Sequence, residues 1–134
     1  MSQENVEVVR RLWNAAERRD DQAVYALYDP AIVWETGNTG PLDAGGHYRG
    51  HAGVRQFFRD WLEAFGAYSA HAETFIEAGD QVIVCYRVSG RGKESGIDIE
   101  MLRWNVYGIK EGLVVRVESF ATEAEALEAA GLAE

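Results

Sequence analysis

The segment that most restricts the fold is Tyr48-Arg49-Gly50-His51-Ala52-Gly53-Val54 together with the aromatic stretch behind it. Val54, Phe57, Phe58, Trp61, Leu62 and Phe65 follow helical spacing and form one broad apolar stripe. That stripe carries more ring bulk than a helix needs simply to rest on a sheet. The pattern therefore predicts a helix from His51 or Ala52 to about Gly66 that forms one wall of a concave, apolar chamber.

The flanking chain supplies the other layers. Glu4 to Arg19 has Val6, Val9, Trp13 and Ala16 on one helical face, and Asp20 and Asp21 break it and cap a short helix through Ala23, Val24, Leu27 and Tyr28. Pro30 ends that helix, and Ala31 to Thr36 reads as a strand. Gly37 to Gly46 holds Gly37, Gly40, Pro41, Gly45 and Gly46 and reads as a long loop of the kind that often serves as a lid or binding loop. After the aromatic helix come strands over Tyr68–Ala78, Gln81–Ser89, Ile97–Tyr107 and Leu113–Phe120, with tight turns at Gly79-Asp80 and Lys110-Glu111-Gly112. Thr122 and Glu125 make a capping box for a last helix, Glu123 to Ala130, closed by Gly131.

Helices gathered before an antiparallel meander lie on one face of it, so the order predicts an α+β layer architecture within a single domain spanning residues 1–134. The strands are apolar at both parities, with Val82, Val84 and Val88 on one and Ile83 and Cys85 on the other. A second apolar face implies a second subunit, and a homodimer through the sheet is expected.

Net charge of -9 argues against nucleic acid and anionic membrane surfaces, since both need a basic face. Cys85 is the only cysteine and sits in the apolar run Val82–Tyr86, where a thiol acts as a small hydrophobe rather than a nucleophile. The polar N-terminus has no secretory pattern, so a cytoplasmic protein is expected. No glycine-rich phosphate loop, nucleophile elbow or dinucleotide fingerprint is present, so no cofactor is implied. His47 and His51 stand four apart, but with only His71 besides and one cysteine a zinc set is hard to complete, and no metal is expected.

Four stretches carry a resemblance over nearly the whole chain: Leu27-Tyr28-Asp29-Pro30-Ala31-Ile32-Val33-Trp34-Glu35, Tyr48 to Val54, Lys110 to Val115, and Glu125 to Leu132. In these the chain resembles the nuclear transport factor 2-like superfamily, especially its SnoaL-like and ketosteroid-isomerase-like members. The resemblance implies a curved sheet wrapped around helices into a cone with an apolar pocket, usually dimeric through the sheet. It implies little about the reaction, because this fold hosts isomerases, cyclases, dehydratases, epoxide hydrolases and non-enzymes.

By that resemblance Glu35 falls where the isomerases keep their proton-moving carboxylate, and burial among Trp34, Trp13 and the aromatic helix would raise its pKa toward useful base strength. The other reading of Glu35 is a solvated carboxylate at a strand end. The isomerases' oxyanion-holding tyrosine and acid correspond here to Trp13 and to Trp104 or Arg103, which are poorer partners. The Arg-x-Asp of epoxide hydrolases has its nearest counterpart in Arg103-Trp104-Asn105, where Asn cannot take a proton. Counting from the Lys110-Glu111 turn sets Arg103 opposite Glu118, a structural ion pair. Trp13, Val33, His47, Tyr48, Phe57, Phe58, Trp61 and Trp104 are the candidates to line the pocket, with Glu35 as general base. Two functions stay open: cofactor-free isomerisation, cyclisation or dehydration of a small, largely apolar molecule, or a non-catalytic ligand-binding or assembly module. An inward Glu35 beside an open cavity favours the first. A cone filled by Trp13, Trp61 and Trp104, or an outward Glu35, favours the second.

Overall fold

The structure is a computed structural model that describes residues 2–37 and 46–132. Helices α1 (Ser2–Glu17) and α2 (Asp21–Ala26) precede strand β1 (Tyr28–Glu35). Strand β2 (His47–Arg49) and helix α3 (Gly50–Phe65) follow, then strands β3 (Tyr68–Ala78), β4 (Gln81–Arg91), β5 (Asp98–Lys110) and β6 (Leu113–Phe120), and finally helix α4 (Glu123–Ala129). The one element beyond the expected set is β2, three residues long. Most of the Gly37–Gly46 loop lies outside the described residues.

Local chemistry fixes the boundaries. The Asp20 carboxylate accepts from the Ala23 amide and starts α2, and the Thr122 hydroxyl accepts from the Glu125 amide and starts α4. α3 stops at Gly66, whose φ of 72° only glycine adopts cheaply. Between β5 and β6 the loop is Glu111-Gly112, both at positive φ, the twist that suits a two-residue hairpin.

The six strands form one curved sheet in the order β2-β1-β6-β5-β4-β3. All neighbours run antiparallel except β1 and β6, which are parallel, so the sheet is mixed. Among the described residues it is not closed into a barrel, for β2 and β3 remain edges. The hairpin register corrects the expected Arg103–Glu118 pair. Partners sum to 223 beside the turn, and a bulge between Gly108 and Ile109 raises the sum to 224, so Glu118 stands opposite Val106.

Two apolar clusters occupy the two sheet faces. On the inner face Val8, Val9, Leu12 and Trp13 of α1 and Val54, Phe57 and Trp61 of α3 pack on Ile32, Trp34, Val82, Val84, Val88, Tyr107 and Val117. Each fully buried aliphatic here contributes about 1.5–3 kcal/mol relative to exposure. On the outer face Ile83, Val106, Trp104 and Phe120 meet Ala126, Leu127 and Ala130 of α4 and its flank. Part of the apolar second parity, expected to call for another subunit, is thus covered by the chain's own last helix. No described helix is long and apolar enough to cross a membrane.

Candidate functional site

Strand parity and register bring a strip of polar side chains onto the inner face. Asn105 on β5 shares its face with Arg103 and Tyr107, and lies beside Val84 on β4 and Ser119 on β6. Its Oδ1 accepts from the Tyr86 hydroxyl at 3.1 Å and the Ser119 hydroxyl at 2.8 Å, while its Nδ2 donates to the Tyr107 hydroxyl at 3.0 Å. The two ends are closed by indoles, Trp13 donating to the Tyr107 hydroxyl and Trp34 to the Ser119 Oγ, both at 3.1 Å. One chain of hydrogen bonds therefore ties α1, β4, β5, β6 and β1 together beneath the helices. Burial pushes the Tyr107 phenol up to about 12, with the Asn105 and Trp13 hydrogen bonds opposing, and burial drives Tyr86 higher still. Both stay protonated at neutral pH and act as hydrogen-bonding groups, not bases.

Arg103 continues this strip. It stands opposite Tyr86, half-buried, and its Nη1 donates to the carbonyl of Leu102 at 3.0 Å. Its Nε is buried, with no hydrogen-bond partner among the described residues. On the same inner face Met101, Tyr68 and Phe65 are half-buried against the core, and α3 is tied to the chain beyond β4 where the Lys93 amide donates to the Ala64 carbonyl at 3.0 Å.

The sequence candidates fall in different places. Trp13, Phe57 and Trp61 are in the interior, at most 8% exposed, and Phe58 packs edge-on against Trp34. Trp34 stacks on Phe57 at 4.5 Å and Trp61 on Phe65 at 5.1 Å, so these rings pack on one another over the inner face. Tyr48 packs on Phe57 and donates to Asp60 Oδ2 at 2.7 Å; burial and that hydrogen bond push its phenol up to about 12. Val33, Glu35 and Trp104 require correction. Successive strand residues point to opposite faces, so Val33 and Glu35 stand on the outer face beside the inward Trp34, and Trp104 stands outward beside the inward Arg103. The Glu35 carboxylate is about a third exposed and bonds Arg116 Nη2 at 2.7 Å, with exposed His47 Nδ1 at 3.4 Å. Its surroundings are an ion cluster, not the desolvating aromatics expected for it, and His47 belongs to that cluster rather than to the inner face. His51 goes elsewhere, its Nε2 lying 2.9 Å from the Tyr28 carbonyl, which fixes that nitrogen as the donor. Burial and nearby Glu73 and Glu123 push the Cys85 thiol up, away from nucleophilic use.

Sequence reasoning passed over Tyr86, Tyr107 and Ser119. Aligning the strands outward from their turns, with every second residue marked, would have set them beside Asn105. An open groove of about 660 Å³ lies elsewhere, between the start of α1 and the β5–β6 turn, lined by Glu7, Val8, Arg11, Glu111 and Gly112 among others.

Comparisons with known proteins agree with this architecture. Residues 9–117 match the model of the SnoaL-like domain family. A nuclear transport factor 2-like protein from Burkholderia thailandensis is 27% identical, with 95% of each chain covered and a TM-score of 0.78. Another such protein of unknown function, from Burkholderia pseudomallei, is 25% identical over 93% of this chain and 95% of that one, with a TM-score of 0.77. TerC, crystallised with polyporic acid, shares the fold at 21% identity and a TM-score of 0.75 over 96% and 98% of the two chains. The comparison with curated proteins found no match.

Proposed function

The chain belongs to the SnoaL-like domain family, and from that premise we propose that it binds a small, largely apolar molecule at the Arg103 end of the inner sheet face. The observation that carries this reading is the continuous polar strip under an aromatic ceiling. Small-molecule sites combine an apolar wall with a few fixed hydrogen-bonding groups, and here the wall is Phe65, Tyr68 and Met101 while Arg103, Tyr86 and Asn105 supply the polar groups. TerC, with its co-crystallised polyporic acid, is support for the fold's capacity to hold such a molecule.

Binding, rather than proton-transfer catalysis through Glu35, is the reading the geometry favours. General-base chemistry needs a proton acceptor within hydrogen-bond reach of the substrate. Among the described residues the strip holds an amide, hydroxyls, indoles and a guanidinium, and Glu35 stands on the other face of the sheet. A homodimer through the outer face is part of the proposal, supported by Trp104 and Leu102, which stay half-buried there. Sedimentation showing only monomer at micromolar concentration would remove that part.

The test of binding is an NMR titration with a panel of small neutral aromatic and alicyclic compounds. The indole N–H signals of Trp13 and Trp34 are expected to move with saturable dependence, and to do so equally in Glu35→Gln. If no compound moves them, the reading is wrong.

A further inference from the structure

Resting on that reading, we propose that the ligand is a small carboxylate whose anionic group is held by Arg103 and whose apolar body lies against Met101, Tyr68 and Phe65. Three other arginines on the strands hold carboxylates: Arg87 bonds Glu73 at 2.7 Å, Arg91 bonds Asp98 at 2.8 Å and Arg116 bonds Glu35 at 2.7 Å. Arg103 has none. Its inner-face neighbours are Met101 and Asn105 along β5 and Tyr86 across on β4, and the nearest acid on its own strand, Glu100, has the opposite parity and faces Arg87. Among the described residues the only hydrogen bond of its guanidinium runs to the carbonyl next to it in sequence, and the buried Nε has no acceptor at all.

A buried charged donor without an acceptor is destabilising, and strands keep such a group only where something else satisfies it. A guanidinium presents parallel N–H groups that match the two oxygens of a carboxylate, so a planar anion is the chemistry that fits. The neighbouring Tyr86 and Asn105 are tied to each other and to Ser119, which keeps them from competing for the guanidinium. The side chain as a whole is half-buried, at the boundary between packed interior and solvent, where a ligand can arrive.

Cinnamate and cinnamamide have the same body and differ in charge, and their titration against the same indole signals reads the arginine directly. Wild type is expected to bind cinnamate about ten- to a hundredfold more tightly, the worth of one charged hydrogen-bonded pair. In Arg103→Met that preference is expected to vanish, so that the two probes bind within about twofold of each other, and Arg103→Lys is expected to keep part of it. Arg103→Gln replaces the Met variant if the latter does not fold. Equal affinity of the two probes for wild type, or a preference that survives Arg103→Met, overturns the carboxylate assignment and leaves the binding reading standing. If neither these probes nor the neutral panel move the indoles, both fall together.

Discussion

Replacing Asn105 by Ala takes away the residue on which the inner polar strip converges. Three groups lose a partner, the hydroxyls of Tyr86, Ser119 and Tyr107. Ser119 and Tyr107 keep an indole donor each, from Trp34 and Trp13, so their loss is partial. Tyr86 keeps only what its nearness to Ser119 offers. With about 1–3 kcal/mol for each buried polar group left wanting, and a small void where the amide stood, the loss is about 3–5 kcal/mol. Tyr86→Phe is the control, since Asn105 Oδ1 then still accepts from Ser119, and its expected cost is about 1 kcal/mol. Urea unfolding followed by tryptophan fluorescence measures both, because two of the indoles lie in the strip. A domain of this size loses about 1–3 kcal/mol per molar urea, so the Asn105→Ala midpoint is expected to drop by on the order of 2 M. Should that variant unfold outright, Tyr86→Phe, Tyr107→Phe and their double variant form a cycle whose coupling reads the same network. Loss within 1 kcal/mol for Asn105→Ala, or no greater than for Tyr86→Phe, would show that the strip is not a connected unit.

Three further outcomes follow from the geometry. Thr122→Ala removes the cap of α4 and is expected to cost about 1 kcal/mol in urea unfolding, with increased quenching of Trp104 by iodide as the outer face loses its cover. Tyr48, Tyr68 and Tyr107 sit at about 12 in the fold against about 10 unfolded. A raised folded value means the native state holds its protons longer, so this stability is full below pH about 10 and is lost as pH climbs toward 12. Tyrosinate absorbance should then appear with unfolding rather than ahead of it. Glu35→Gln breaks an exposed ion cluster, and its expected cost is at most about 1 kcal/mol by the same unfolding assay.

Much of the fold was legible because its signals are local. The ring stripe of α3, the acidic and hydroxyl caps of α2 and α4 and the Glu111-Gly112 turn each follow from neighbours in sequence. β2 escaped notice because three residues between two glycines are too few to show alternation. The site was half legible. Arg103 and Asn105 stood out as an Arg-x-Asn pair, yet their environment depends on the register across β4 and β6, which a one-residue bulge at Gly108/Ile109 shifts. Glu35 was misplaced for a plainer reason: it was given the surroundings of Trp34, and a period of two sends adjacent side chains apart. The cover that α4 gives the outer face is a long-range contact that no pattern in either segment announces.

The parallel seam between β1 and β6 sets an order on assembly. Trp34 meets Val117 there, and the two are separated by α3 and the whole meander. Closing so long a loop costs more entropy than closing a hairpin, whereas each hairpin of β3 to β6 zips from its own turn. The β6-facing edge of β1 therefore stays unpaired until the last strand exists to receive it, while β2 and the Phe57 and Phe58 rings of α3 lie nearer in sequence to cover the rest of it.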